Sequence, residues 1–304
     1  MNQKNLKAMS VLVVGSLCLD HTLFVSSLPG RGETAIAKTS LVSFGGKGAN
    51  QAFAAKRAGG EVGFVAMVGD DEAGEAYREH FMEHGISTEG IISGSDHPTG
   101  SAFLGVEDSG ENLIIINPGA NHTLRPSDLD RRCELFAEAE ILLLQLEIPL
   151  ETIAHACQLA KDHKLTTIIN PSPWDDSFNT ADFPCDILIL NEHEMATLVN
   201  DQRWKLDSSL LDRLGIQTLI VTRGSKATLA VDGAGKVLEC KPPMVTPVDT
   251  VGAGDAFTGA FAVALAEGKA LEEAIHFANR AASLSTLKPG AQGATPTRSE
   301  IDSA

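Results

Sequence analysis

Basic residues are in short supply in this chain. Lys and Arg number 24 against 40 Asp and Glu, a net charge of −16. A surface this acidic repels phosphate, which excludes nucleic acid and anionic membrane as partners and leaves room only for a local basic pocket. Cysteine is sparse as well. Cys18, Cys133, Cys157, Cys185 and Cys240 are odd in number and widely spaced, with no C-x-x-C. That pattern excludes a disulfide framework and a zinc site, and points to a reducing, cytoplasmic setting. No apolar run is long enough to cross a bilayer. The first ten residues are polar and lack an apolar core, so no signal peptide is expected. Internal repeats and low-complexity tracts are missing too.

What remains is an ordinary globular composition, 43% hydrophobic and 21% charged over 304 residues. At roughly 150 residues per domain the length allows two domains or one large α/β domain. Short β-branched or Leu-rich runs at 11–14, 63–68, 141–144, 166–170, 186–190 and 218–222 predict buried strands. Stretches with helical periodicity fall between them, at 50–58, 74–84, 127–139, 149–163 and 192–199. Asp71 and Ser127 are the expected N-caps, and Gly85 the residue that ends its helix. Alternating strands and helices predict a central, mostly parallel sheet covered by helices on both faces. Two stretches break the rhythm. Residues 21–43 turn around Pro29-Gly30-Arg31-Gly32, and residues 99–117 turn around Asp108-Ser109-Gly110. Both predict hairpins, too few strands for a domain of their own. The expectation is one α/β domain over 1–304 with a small β-sheet lid built from those two insertions. A third hairpin (228–231 with 237–240) and two helices (252–267 and 271–284) close the chain.

Two glycine turns open helices. Gly45-Gly46-Lys47-Gly48-Ala49-Asn50 precedes one, and Gly252-Ala253-Gly254-Asp255 precedes the other. Glycines there let a ligand approach the backbone, and the free N–H groups with the helix dipole attract anions. Neither turn is a P-loop, because Gly48 follows Lys47 where Ser or Thr is required. Neither is a dinucleotide fingerprint, because Gln51 and Phe257 stand where the third Gly belongs. Asp255 sits in the first helical turn, where the dipole favours its ionised form. A fixed carboxylate base beside an anion hole suits phosphoryl transfer, which is mostly positioning and charge stabilisation. Capping is the simpler account of such an Asp. The neighbouring glycines favour chemistry.

The segment V-D-T-V-G-A-G-D at 248–255 resembles a signature of the ribokinase family of carbohydrate kinases. F-G-G-K-G-A-N-Q-A at 44–52 resembles that family's N-terminal signature. The likeness continues through G-S-x-x-x-D at 15–20, V-G-D-D at 68–71, P-G-A-N at 118–121 and L-L-x-Q-L-E at 142–147. It runs on through N-P-S-P at 170–173, N-E-x-E at 191–194, T-x-G-S at 222–225 and K-P-G-A-Q at 288–292, covering essentially the whole chain.

The resemblance implies roles by position. Asp255 would take the proton of a primary sugar hydroxyl, with the amides of Gly252, Ala253 and Gly254 stabilising the phosphoryl group. Cys18, Asp20, Gly46, Lys47, Asn50 and Glu147 would hold the sugar. Carboxylates and amides make paired hydrogen bonds to vicinal hydroxyls, which agrees. Asp20 and Glu147 are expected just past the carboxyl ends of strands, where open α/β sheets bind ligands. Asn191, Thr222, Arg223, Gly224, Ser225, Lys226, Ala227, Gly254 and Asn279 would bind ATP. Glu194 would organise Mg²⁺ through water. Asp249, Val251, Ser285, Lys288, Gly290 and Ala294 would form a site for K⁺ as activator. Four positions depart from the family pattern: Cys18 replaces Asn, Asn279 replaces His, Ala227 replaces Gly, and Ala294 lacks a hydroxyl.

The expected activity is ATP-dependent phosphorylation of a pentose, D-ribose at its 5-hydroxyl, by a homodimer joined through the lid. Two alternatives stand beside it. One is a kinase of the same family for another sugar or a nucleoside. The other is a non-catalytic sugar-binding regulator.

Overall fold

A computed structural model describes residues 9–304; the reading of the polar N-terminal stretch falls mostly outside them. The chain opens with β1 (Met9–Val14), β2 (Cys18–Val25) and β3 (Thr39–Gly45). Then come α1 (Lys47–Arg57), β4 (Val62–Gly69), α2 (Glu72–Glu83), β5 (Ile91–Ser95), β6 (Ser101–Glu107) and β7 (Asn112–Asn117). The middle holds α3 (Pro126–Asp130), α4 (Cys133–Glu138), β8 (Ala139–Leu144), α5 (Leu150–His163), β9 (Thr166–Ile169) and β10 (Ile187–Asn191). It ends with α6 (Glu192–Val199), α7 (Ser208–Leu214), β11 (Thr218–Thr222), β12 (Thr228–Val231), β13 (Val237–Cys240), α8 (Ala253–Ala266), α9 (Leu271–Ser285) and α10 (Arg298–Ser303).

Nine strands form the main sheet in the order β13-β12-β11-β10-β9-β8-β1-β4-β5. Only the last hairpin, β11-β12-β13, is antiparallel. Side chains alternate between two cores, as the two-residue period of a strand requires. Val11, Val13, Ile141 and Leu143 face a core shared with α1, α2, α8 and α9. Leu12, Val14, Leu142 and Leu144 face one shared with α3 to α7. The chain leaves β1 toward β4 on one side and returns as β8 on the other. That reversal opens a crevice at the carboxyl ends of β1 and β8.

The second sheet has the order β3-β2-β6-β7. Both expected hairpins are present. A parallel pairing of β2 with β6 joins them. The hairpin boundaries move, however. β2 begins at Cys18, so Asp20 lies on a strand of the small sheet rather than in a loop after β1. Helix 127–139 also proves to be two short helices. Its N-cap is Arg125 with Pro126 at the first helical position, not Ser127. Proline's fixed φ and missing N–H suit that position. Asp71 does cap α2, accepting the Gly74 N–H, and Gly85 follows the helix at φ 70°.

Candidate active site

α1 and α8 bring the two glycine turns together. At Gly259 of α8 an added Cβ would stand 2.5 Å from the Gln51 carbonyl and 2.8 Å from Ala54 Cβ, so only glycine permits this approach. The result is direct contact between the turns. Asp255 accepts N–H groups from Asn50 Nδ2 at 3.1 Å and Gln51 Nε2 at 3.0 Å. Gln51 also donates to Asn170 Oδ1 at 3.0 Å and accepts from Gln145 Nε2 at 2.6 Å.

The carboxylate of Asp255 is buried, and burial raises its pKa above the ordinary range. The Lys47 charge and the two amides pull the other way without cancelling that effect. The expectation from its helix position therefore had the wrong dominant cause: desolvation outweighs the dipole. For a general base this is an advantage, because a raised pKa lies closer to the operating pH.

Gly46 caps α1 at φ 88°, and any Cβ there would meet Leu17 Cα at 2.6 Å. The turn is further fastened by Glu147, whose Oε2 accepts the Lys47 N–H at 2.9 Å and the Ser16 hydroxyl. Asp20 lies over Gly45, so closely that a side chain on Gly45 would collide with its carboxylate. Burial raises the Asp20 pKa to about 6; the Cys18 thiol opposes this and the Glu147 charge adds to it. Cys18 is buried beside it, and burial first, then the Asp20 charge, keeps its thiol protonated. Cys18, Asp20, Gly46, Lys47, Asn50 and Glu147 thus gather at one place, from β2, α1 and the end of β8.

A cavity of about 150 Å³ opens beside them. Lys47, Glu194, Thr222, Gly252, Gly254 and Asp255 are among its walls. Gly252 caps α8 at φ 75°, and an added Cβ would meet Ala291 Cα at 2.9 Å. A Cβ on Gly254 would meet nothing within 4 Å. Of the three amides assigned to the anion hole, that of Ala253 donates to the Thr250 carbonyl at 3.3 Å. It must release that long bond to reach a phosphoryl oxygen.

Asn191 and Glu194 form a reciprocal cap on α6, with bonds of 2.8 and 2.9 Å. The capping role and the cavity position coexist. Glu194 is buried, which raises its pKa; Asn191, Ser172 and the Lys47 charge oppose that. Two carboxylates, Glu194 and Asp255, stand in the cavity wall among amide and hydroxyl oxygens, a setting that suits a hard cation that keeps its waters. Arg223 and Lys226 both hold Glu192, at 3.0 and 3.2 Å. Arg223 lines a second cavity of about 560 Å³, with Glu192, His193, Gln202, Trp204 and Leu229. Gly224, at φ 59°, and Ser225 are exposed between those cations, while Ala227 is buried.

Of the ATP candidates, Asn191, Thr222 and Gly254 line the first cavity and Arg223 the second, while Gly224, Ser225, Lys226, Ala227 and Asn279 line neither. The buried amide of Asn279 accepts from Thr228 at 2.8 Å and donates to the Cys240 carbonyl at 3.0 Å, tying α9 to the hairpin. The K⁺ candidates share two adjoining loops. Asp249 accepts the N–H groups of Gly290 at 2.8 Å and Val251 at 3.0 Å, and its own N–H reaches the Thr286 carbonyl. Ser285 and Ala294 are buried nearby in sequence, and Lys288 is exposed. Among the described residues no group of three or more His, Cys, Asp or Glu is placed to hold a metal ion.

Sequence reasoning missed Ser16, Gln51, Gln145, Asn170 and Gln292. All five lie inside the quoted motifs, which was the available signal.

Residues 8–298 match the pfkB family of carbohydrate kinases. The chain belongs to that family. It is a phosphotransferase with an alcohol group as acceptor. It is similar to a ribokinase from Haemophilus influenzae, 36% identical over 296 residues and 96% of both chains. A deoxyribokinase from Salmonella typhi is 33% identical, over 95% of this chain and 96% of its own length. Among solved structures, Arabidopsis thaliana ribokinase complexed with ribose and ATP superposes with a TM-score of 0.91. It is 32% identical, with 97% of this chain and 98% of that one covered.

Proposed function

We propose that this chain is a ribokinase, transferring the γ-phosphoryl group of ATP to the 5-hydroxyl of D-ribose. The observation that carries the proposal is the contact of Asp255 with the Asn50 and Gln51 amides at the mouth of the α8 N-terminus. In the proposed reaction the sugar is held by Asp20, Asn50, Glu147 and the Gly46-Lys47 turn. Asp255 accepts the proton of the 5-hydroxyl as its oxygen bonds to the γ-phosphorus and the bridging P–O bond to ADP breaks. The α8 N-terminal amides and Lys47 stabilise the charge that develops. Arg223, Ser225 and Lys226 contact the nucleotide once Glu192 lets go. Glu194 would hold Mg²⁺ through water, and the ion would supply neutralisation of phosphate charge. K⁺ would rest on the 249–251 and 285–294 loops.

We further propose that the small sheet is a lid that shields the site from water and joins two subunits, and that the enzyme is cytoplasmic. All five cysteines are free, four of them buried, which suits a reducing compartment.

The test is product formation with ATP and Mg²⁺ across D-ribose, 2-deoxy-D-ribose, D-fructose and adenosine. The highest kcat/KM is expected with D-ribose. A preference for 2-deoxy-D-ribose or adenosine would replace the substrate and keep the chemistry. No turnover with any acceptor would favour a sugar-binding regulator.

A further inference from the structure

Behind the sugar-facing groups runs a row of polar side chains that the chemistry above does not employ. Asn50 has one amide and two duties. Its Nδ2 donates to Asp255 Oδ2 at 3.1 Å. Its Oδ1 faces the other way and accepts from Gln292 Nε2 at 3.1 Å. The same Gln292 nitrogen donates to Tyr77 Oη at 3.0 Å, and the Tyr77 hydroxyl donates to the Gly45 carbonyl. The remaining end of Gln292, Oε1, meets His80 Nε2 at 2.8 Å. Tyr77 and Gln292 are buried, so water offers a turned amide no alternative partner.

Only one assignment of donors satisfies this row. Ionised Asp255 accepts only, so Asn50 must offer it N–H and turn Oδ1 toward Gln292. Gln292 then spends both N–H groups on Asn50 and Tyr77, and its Oε1 requires a donor. His80 supplies one when Nε2 carries the proton. Its ring is held in place against Phe44, at 4.0 Å and 9°, and Phe53, at 5.4 Å and 6°. His84, one turn along α2, packs on the same ring and bonds to the His80 carbonyl instead of joining the row.

We propose that Gln292, backed by His80, is a positioning residue for phosphoryl transfer: it fixes which end of the Asn50 amide faces Asp255 and the sugar. Gln292 also lies in the 288–294 segment of the cation-site candidates. It thereby connects that loop to the sugar turn. The inference rests on the placement of Asn50 and Asp255 in the sugar site.

The experiment is steady-state kinetics on the full chain with sugar and ATP varied separately, using the sugar the wild type turns over best. Gln292→Leu and His80→Leu are each expected to lower kcat/KM for the sugar by about 5- to 100-fold, the effect of leaving a buried polar group unpaired. The KM for ATP should stay within about twofold. His80→Gln can still present N–H to Oε1, and it is expected to recover most of the loss. In an Asn50→Ala background, adding Gln292→Leu should cost nothing more, because the orientation has no amide left to act on. Wild-type sugar kinetics in folded His80→Leu would overturn the proposal, as would additive losses in the double variant. Should Gln292→Leu fail to fold, the contrast between His80→Leu and His80→Gln decides. Unchanged sugar kinetics in Asn50→Ala would instead overturn the site placement itself.

Discussion

The carboxylate of Glu147 accepts the backbone N–H of Lys47 at 2.9 Å, across 100 residues of chain. The bond ties the turn that opens α1 to the segment leaving β8, the strand next to β1 in the main sheet. Ser16, at the end of β1, donates to the same oxygen and accepts the Gly48 N–H at 3.2 Å. The turn is therefore fixed to the segments that leave both β1 and β8 before any ligand arrives. A preorganised turn reduces what binding must spend on ordering the site.

Asp255→Asn keeps the shape of the side chain and removes its basicity. The loss of a general base lowers kcat by about 10²- to 10⁴-fold. One amide oxygen can still accept from Asn50 or Gln51, so the sugar Kd should rise far less than kcat falls. Rapid-quench turnover and calorimetric sugar binding measure the two separately. Near-normal turnover would falsify the role of Asp255.

Cys18→Asn restores an amide where the thiol can supply only a weak donor. If the sugar has lost one hydrogen bond there, ribose should bind more tightly by about 0.5–1.5 kcal/mol, roughly 2- to 10-fold in Kd. Titration of ribose into both proteins tests this. Weaker ribose binding together with better binding of another sugar would mean that the pocket is shaped for the other one.

The main sheet was legible in the sequence, and the contact partners at its crevice only in part. Buried parallel strands such as β1 and β8 are continuous apolar runs, and their reading needs only local sequence. Asp20 was misplaced because its strand pairs with β6, some eighty residues away, and no local pattern announces a parallel partner. The split between α3 and α4 was hidden by an unbroken helical periodicity across 131–132. Gln51 and Gln292 escaped notice because an amide becomes informative only when both of its ends have partners. The double role of Asn191, cap and cavity wall, likewise appears only in three dimensions.

Acidification should move stability and activity in opposite directions. Burial lifts Asp20 from an ordinary 3.8 to about 6. Between those values the folded chain binds more protons than the unfolded chain. The stability from this group is therefore complete below about pH 3.8 and is lost as pH rises through about 6. Asp255, also raised by burial, must lose its proton to act, so kcat/KM should climb with pH, with its inflection above an aspartate's ordinary 3.8. The measurements are ligand-free Tm and sugar kcat/KM from about pH 4.5 to about pH 7. Asp20→Asn should flatten the fall in Tm with rising pH. An identical Tm slope in wild type and variant would remove Asp20 as a source of the effect.

Register assigns the two faces of the small sheet. His21, Phe103, Ile115 and Val42 stand opposite one another across its four strands and share one face, with His21 stacked on Phe103 at 5.2 Å. Asp20 belongs to the next row, with Ala102, Ile116 and Ser43, and therefore points to the opposite face. In the proposed reaction the Asp20 face meets the sugar, and the His21 row, with its exposed Phe103, Val42 and Ile115, lies on the other face. Phe103 is 46% exposed, Val42 56% and Ile115 59%. A second copy of the same sheet would cover that row, and a symmetric contact of this kind closes at two subunits. Light scattering should give a dimer for the wild type and a monomer for Phe103→Glu, since an unpaired carboxylate at a buried apolar contact is costly. A site that must keep water from ATP also needs its cover in place during transfer. Amide hydrogen exchange over 21–43 and 99–117 should therefore slow when sugar binds, and kcat should fall in the monomeric variant. A wild-type monomer would remove the joined lid. Equal exchange with and without sugar would remove closure, and either outcome would leave the contacts of Asp255 as they are.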